Sequence, residues 1–511
     1  MSYRQNETLW TSKELWDLAD QGSRGWSMKR GIVGYGAYIP YHRLQRSAIK
    51  DALGGGGGRG TRAVASYDED AVSMAVEAGR HLLRSSETPT PAALYFSSAT
   101  PPYLDKTNAT AIHAALDLPG DVLATDMVGS ARSVTGAVSA ALHDRRPVLV
   151  AAGDVRSGRP GSGDEAALGD AGAAILIGTE SQVAGAGAGG DAEVGGAPVI
   201  AEWLGGGSAT GEFLDRWRQP GWDYSRVWEE RFGEAMYGPL VADAVNDAFK
   251  STELSAADVD LAIVSGLHAR AIRSAPRSGG ISAVPMAEDL TGSIGNAGSV
   301  HGLVALCNAL DSAQPGQILM LVVLADGCDV MLFRTTDAIA DYRPHATVAG
   351  QVEEGNDGLA YATFLTWRGF LDREPPRRPD PVPPAAPPSA RRSDWKFAFK
   401  GSRDRSTGAV HLPPQRVSVK GGAVDDMELV PMANIEGTVA TYTIDRLAYS
   451  PSPPTIAVVI DFDGGGRFTS ELTDADPDEV EIGMRVAMTF RRMLTADGVH
   501  NYFWKATPIR H

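Results

Sequence analysis

The sequence predicts an α/β layered core followed by a separate, small all-β domain. Three observations carry this reading. Apolar strand-like runs alternate with helical patterns from residue 31 to about residue 365, a proline-rich tract without periodicity interrupts the chain at 371–394, and beyond it short β-rich runs are separated by turn residues. With 511 residues, 43% of them hydrophobic, the chain is long enough for two or three packed domains.

The elements follow in order. Residues 1–27 carry Trp10, Trp16 and Trp26 among polar neighbours and read as an extension that docks on a neighbour or frays. GIVGYGAYIP (31–40) is strand-like with glycine breaks, and GGGGGRG (54–60) reads as a flexible loop. A helix starts near Asp68, with Ala71, Met74, Ala75, Ala78 and Leu82 on one face. Strands are expected at 92–96, 147–153, 173–178, 260–266 and 317–327, with helices over 239–250 and 297–312. The same order of elements occurs in 28–183 and again in 198–370, on either side of the glycine-rich tract 184–197, so a duplicated core is expected. Residues 371–394 read as a stiff, extended linker. In 395–511, the runs GTVATYTIDRLAY, TIAVVIDF, GRFTSELT and MRVAMTFRRM are spaced as in a small barrel or sandwich.

Composition narrows the function classes. A formal charge of −16 argues against binding a phosphate backbone, which needs a concentrated basic face. The longest apolar runs, 147–152 and 318–325, are too short to span a bilayer and the first residues lack a signal-peptide core, so a cytoplasmic protein is expected. Cys307 and Cys328 are the only cysteines, too few for a disulfide framework or a four-cysteine zinc site.

The stretch ATDMVGSARSVTGAVSAAL (124–142) has the form of a turn that presents a nucleophile: a strand ending near Asp126, small residues at Gly129 and Ser130, then a helix with Val134, Ala137, Val138 and Leu142. Ala131 occupies the place where a reactive cysteine is sought.

GIVGYGAYIPYHRL, the DEDAVSMAVEA helix, GRPGSGDEAALGDAGAAILIG and GNAGS resemble, in that order, the thiolase superfamily, and most closely the HMG-CoA synthase-like (ketoacyl synthase III-related) proteins, over roughly 29–365. GTVATYT, GGGRF and DPDEVEIGMRV resemble the OB-fold domain that accompanies thiolase-fold acyl-CoA enzymes, over roughly 393–511. The resemblance implies a five-layer α/β/α/β/α core followed by an OB barrel, a coenzyme A thioester as substrate with no metal, and a homodimer. It also implies a cysteine nucleophile, a glutamate acid/base, a histidine and an asparagine. Those positions fall on Ala131, on Ala99 in YFSSATPPYLDKTNAT (95–110), on Ser265, or on His268 with a shift of three, and on Asn296 in GNAGS. The zinc module some relatives carry before the barrel has no cysteines here, in KGSRDRSTGAVHLPPQRVSVKGG (400–422), leaving a loop held by packing near Pro413 and Pro414.

The candidate catalytic residues are Asn296, His268, His301, Tyr103 and Ser130, and the candidate coenzyme A contacts are Arg132, Arg156 and Arg159. Each has a plainer reading. Ser130 is a hydroxyl nucleophile or simply a turn residue; Tyr103 is an acid/base or a packed loop aromatic; the histidines exchange protons near neutral pH or are structurally bonded. Arg132 reads a phosphate or carboxylate, or pairs with an acid such as Asp126, and Arg156 and Arg159 are phosphate ligands or solvated loop residues. DRWRQPG (215–221) with Trp222, Tyr224 and Trp228 reads as a substrate lid, a subunit contact or, more simply, a buried aromatic cluster.

Three functions follow: an acyl-CoA carbon–carbon lyase or aldolase that needs no covalent cysteine, a non-catalytic thioester-binding subunit of a separate thiolase, and an HMG-CoA synthase-like acyltransferase working by a non-cysteine route. The first is preferred.

Overall fold

Strand runs that are apolar at every position, such as Ile318–Leu324, must be buried on both faces, and a layered arrangement of helix, sheet and helix does this. The computed structural model describes residues 29–85, 88–180, 198–377, 379 and 381–510. The expectations for the 1–27 extension and for the glycine-rich tract at 184–197 lie outside these residues.

Nine strands form one mixed sheet: β1 (Arg30–Tyr38), β2 (Ala93–Ser98), β3 (Leu123–Val128), β4 (Val148–Asp154), β5 (Ala171–Thr179), β6 (Ala201–Thr210), β7 (Leu261–Gly266), β8 (Ile318–Leu324) and β9 (Gly327–Thr335). Their order is β7-β8-β9-β6-β1-β5-β4-β2-β3. The two halves repeat one plan. In the first, β1 pairs antiparallel with β5 and β5 with β4, whereas β4-β2 and β2-β3 are parallel. In the second, β6-β9 and β9-β8 are antiparallel, β8-β7 is parallel, and the last strand of the plan shrinks to one parallel bridge between Ala262 and Met286. Within the sheet, the pairs Gly31–Glu202 and Ile32–Ala201 join the halves.

The principal helices are α1 (Ala71–Leu83), α2 (Ser133–His143), α3 (Glu230–Thr252), α4 (Ala269–Ser278) and α5 (His301–Ser312). Strand alternation sorts them into layers. Val148, Val150 and Ala152 of β4 and Leu319, Leu321 and Val323 of β8 share one core with α2 and α5. Leu149 and Ala151 face α1, and Met320 and Val322 face α3. The order is therefore helix, sheet, helix, sheet, helix. The start of α1 is written in the sequence: Asp70 accepts from the N–H groups of Val72 and Ser73 while Ser73 Oγ accepts from Asp70 N–H, a reciprocal cap.

Beyond the core, β10 (Gly437–Asp445), β11 (Thr455–Phe462), β12 (Arg467–Leu472), β13 (Arg485–Ala496) and β14 (Val499–Pro508) close a barrel in the order β10-β11-β12-β14-β13. Val439, Val458, Ile460, Phe490 and Trp504 fill it. The linker is not extended throughout: Ala386–Arg391 is helical, with Pro387 and Pro388 in the first turn, where a missing N–H leaves no bond unmade. In the cysteine-free module, Lys400–Asp404 pairs with Val410–His411 and Met427–Pro431. Hydrogen bonds hold it: Asp404 accepts from Ser406 and Thr407, and His411 Nε2 accepts from Val419 N–H at 3.1 Å.

The barrel docks on α1 through buried charge. Glu77 accepts from Phe490 N–H at 2.8 Å, Lys505 pairs with Asp68 at 2.9 Å, and Arg491 lies 2.8 Å from Glu69, 3.5 Å from Asp68 and 2.5 Å from Asp474.

Candidate active site

Strand β3 ends at Val128, Gly129 turns the chain, and α2 opens at Ser133. The turn residues Ser130 and Ala131 face a cleft of about 690 Å³, walled by the loop after β2 (Ala99–Pro101), by the segment Asp215–Trp222, and by Leu324–Asp326 at the end of β8. A single buried carboxylate holds two of the surrounding loops together. Asp154 Oδ1 accepts from Ser98 Oγ at 2.9 Å, from Ala99 N–H at 2.8 Å and from Thr100 Oγ1 at 3.2 Å, while Oδ2 accepts from Ser299 N–H at 2.9 Å and Ser299 Oγ at 2.7 Å. The loop after β2 and the GNAGS loop of the second half therefore meet on one residue.

A second group of polar residues comes to the cleft from the second half of the core. Asp215 and Tyr237 line the cleft, and His268 caps α4 behind them, its Nδ1 accepting from Ala271 N–H at 3.0 Å. His268 Nε2 lies 3.8 Å from Asp215 Oδ1, and both side chains are about 5% exposed or less. Neither atom has a hydrogen-bond partner. Burial raises the Asp215 carboxyl above its ordinary value, against the lowering influence of His268, Arg216 and a hydrogen bond from Tyr237. Tyr237 Oη also accepts from Asp326 N–H at 3.4 Å, and the Asp326 carboxyl, itself on the cleft, is raised by burial and by the charges of Asp215 and Glu212. Burial likewise raises the Tyr237 hydroxyl.

The residues singled out from the sequence divide. His268, Ser130 and Arg156 are at the cleft or in its wall. Strand β7 runs to Gly266 and buries Ser265, which leaves His268 as the histidine of this segment that reaches the site. Ser130 Oγ contacts Ser133 Oγ at 3.2 Å and no base. Asn296 is spent on backbone, donating to Gly266 O at 2.6 Å and accepting from Gly298 N–H at 3.0 Å.

Four candidates are placed elsewhere. His301 is buried with both ring nitrogens engaged, by Ala297 N–H and by Asp289 O, and burial lowers its pKa. Tyr103 turns to the barrel, where its hydroxyl accepts from His500 N–H at 2.8 Å. Arg132 is saturated by Asp329, at 2.9 and 2.7 Å, and by Ser208 and Thr210, so it is a tie between the halves rather than a ligand contact; the paired acid is Asp329, not Asp126. Asp126 instead accepts from the N–H groups of Asn108 and Ala109. Arg159 is exposed on the loop after β4. Cys307 and Cys328 are buried, and burial pushes the Cys328 thiol up to about 12 and the Cys307 thiol well above its ordinary value.

Sequence reading missed Asp215, Tyr237, Asp326 and Asp154. The segment carrying Asp215 stood out for its aromatic and charged residues together and not for this acid, and it forms a largely exposed cleft wall rather than a buried cluster. Among the described residues, no helix is long and apolar enough to cross a membrane, and no group of three or more His, Cys, Asp or Glu is placed to hold a metal ion.

Comparison with known proteins agrees with this architecture. Residues 429–491 match the family described as the C-terminal OB-fold domain of ChsH2. Over 358 residues the chain is 29% identical to a hydroxymethylglutaryl-CoA synthase of Methanothermobacter thermautotrophicus, covering 67% of this chain and 99% of that one. A second such synthase, from Methanopyrus kandleri, is 27% identical over 360 residues, 66% of this chain and 96% of its own. The fold matches 3-oxoacyl-(acyl-carrier-protein) synthase III of Aquifex aeolicus, with a TM-score of 0.50 and 16% identity over 60% of this chain and 100% of that one. It matches OleA of Xanthomonas campestris equally, at 0.50 and 16% over 60% and 98%. Over its core the chain is thus similar to hydroxymethylglutaryl-CoA synthases and shares the fold of 3-oxoacyl-(acyl-carrier-protein) synthase III, and the barrel that follows matches an OB-fold family.

Proposed function

We propose that the cleft takes an acyl-CoA thioester and that the chain makes or breaks a carbon–carbon bond in it by aldol or retro-aldol chemistry, with no covalent acyl-enzyme. The observation that carries this reading is the presence of Ala131 on the turn and of a buried, raised carboxyl, Asp215, in the lining of one cleft. In the cleavage direction, ionised Asp215 takes the proton of a β-hydroxyl. The carbon–oxygen bond becomes a carbonyl, the bond between the α and β carbons breaks, and its electron pair passes into the thioester enolate. The positive end of α2, beside Ser130 and Ala131, stabilises the charge of the enolate oxygen, and the α carbon recovers the proton from Asp215. Tyr237 and His268 position Asp215, and Asn296 holds the GNAGS loop.

The acyltransferase reading needs a nucleophile, and Ser130 has no base beside it. A second reading follows from Ala131 standing where a nucleophile is sought: the chain holds the thioester for a separate thiolase subunit. Incubating the isolated chain with β-hydroxyacyl-CoA thioesters and assaying for shorter acyl-CoA and a carbonyl product separates the two, since turnover without a partner excludes a purely supporting role. A homodimer through the thiolase-like core, detectable by light scattering, belongs to the same proposal.

A further inference from the structure

Arg156 is held as if for a ligand. Its N–H donates to Asp170 Oδ1 at 2.6 Å and its carbonyl accepts from Arg62 Nη2 at 2.8 Å, so the backbone is clamped on both sides by buried residues. The residue is 5% exposed and lines the cleft. Its guanidinium forms no hydrogen bond or ion pair with a described residue, and Nε is buried without a partner. Asp154, the acid whose charge acts on it most, spends both oxygens on Ser98, Ala99, Thr100 and Ser299. The other arginines of the wall differ: Arg216 is neutralised by Asp164 at 2.6 and 3.0 Å, and Arg218 donates to Ala99 O.

Gly298 makes room for this side chain. At its φ of +67°, a Cβ would stand 2.8 Å from Arg156 Cδ and 3.0 Å from Nε. Burial lowers the pKa of Arg156 while the charge of Asp154 acts to raise it, and with its Nε unfilled the buried cation keeps a desolvation cost that an anion in the cleft offsets.

We infer that Arg156 receives a carboxylate on the acyl part of the substrate, so that the thioester taken by the cleft is that of a dicarboxylic or other carboxylate-bearing acid. This rests on the reading of the cleft as a thioester site. The planar guanidinium matches a carboxylate in two parallel hydrogen bonds. Depth decides between the two anions such a ligand offers: Arg156 is buried in the cleft that holds Ala99 and Ala131, at the reacting end, whereas the phosphates of coenzyme A lie a whole pantetheine arm away.

Calorimetric titration of the full chain with glutaryl-CoA, pentanoyl-CoA and coenzyme A tests this, the first two differing by a carboxylate in place of a terminal methyl. The wild-type chain is expected to bind glutaryl-CoA about tenfold or more tighter than pentanoyl-CoA. Arg156→Gln should erase that preference, Arg156→Lys should keep part of it, and the affinities for pentanoyl-CoA and coenzyme A should hold. Equal wild-type affinities for the two thioesters would overturn the inference while leaving the thioester site standing. So would a preference that survives Arg156→Gln, or a loss shared equally by all three ligands, which would make Arg156 a phosphate contact. Failure of all three to bind would remove the thioester reading and this inference together. Equal wild-type affinities overturn the inference without any variant, and Arg156→Lys tests the side chain where Arg156→Gln fails to fold.

Discussion

Asp215 Oδ1 and His268 Nε2 face each other at 3.8 Å inside the wall of the cleft, and neither has another partner. The tautomer follows from the helix cap: Nδ1 accepts from Ala271 N–H, so in the neutral ring the hydrogen is on Nε2 and points towards Asp215. Gly233 permits this approach, since a Cβ there would lie 2.6 Å from both atoms. His268→Asn retains a good capping side chain but loses the ring N–H, whereas His268→Ala loses both and costs about 1 kcal/mol more in unfolding free energy. Because His268 lowers the Asp215 pKa, His268→Asn should also move the acid limb of the rate profile to higher pH, an effect that a capping role alone would not produce.

The pH dependence has opposite signs for activity and stability. Burial favours the neutral form of Asp215, so its folded pKa lies above the unfolded value of about 3.9. Its contribution to stability is complete below that unfolded value and is lost as pH rises through the raised folded value. The base must be ionised, so kcat/KM rises over the same interval. Thermal melting and initial rates measured together across this window should run in opposite directions, and Asp215→Asn should flatten that part of the melting profile.

The seam between core and barrel depends on Arg491. It lies among Asp68, Glu69 and Asp474 with 1% of its side chain exposed, and burial pushes the Glu69 carboxyl up to about 7. Arg491→Met removes the cation that Glu69, Asp68 and Asp474 share, although Lys505 still pairs with Asp68, and should cost about 3–5 kcal/mol in urea denaturation. It should also open the 371–394 segment to limited proteolysis.

Arg132 joins the helix after the turn to β9 through two hydrogen bonds to Asp329. Arg132→Ala should lower stability by about 1–3 kcal/mol and leave the Kd for coenzyme A within about twofold. A selective loss of coenzyme A affinity would return this arginine to the ligand site.

The fold was legible where one physical rule acts alone. Strand β8 is apolar on both faces and could only be a buried strand; the apolar face of α1 fixed that helix, though its cap is Asp70 and not Asp68; the repeat of strand order in the two halves appears in the succession of elements. The site was legible in part. Ala131, Ser130 and Arg156 were reachable because the turn and the loop after β4 are local. Asp215 was not, because its surroundings arise only when the 215–222 segment folds back against His268, and in the sequence it is one more loop acid. His301 and Arg132 misled for the reverse reason, since partners distant in the chain, Asp289 and Asp329, already satisfy them. Nothing in the composition of 400–422 showed that Asp404 and His411 would hold a module lacking cysteines.

The central claim is that a carboxylate, and no thiol, drives carbon–carbon chemistry in this cleft. The most direct measurement is product formation from β-hydroxyacyl-CoA thioesters by the purified wild-type chain, by Asp215→Asn, and by Cys307→Ala combined with Cys328→Ala. The account predicts turnover by the wild type and the cysteine-free chain, and a loss of about 10²–10⁴-fold in Asp215→Asn with thioester binding retained. Activity that vanishes with the cysteines, or that is indifferent to Asp215→Asn, would contradict it.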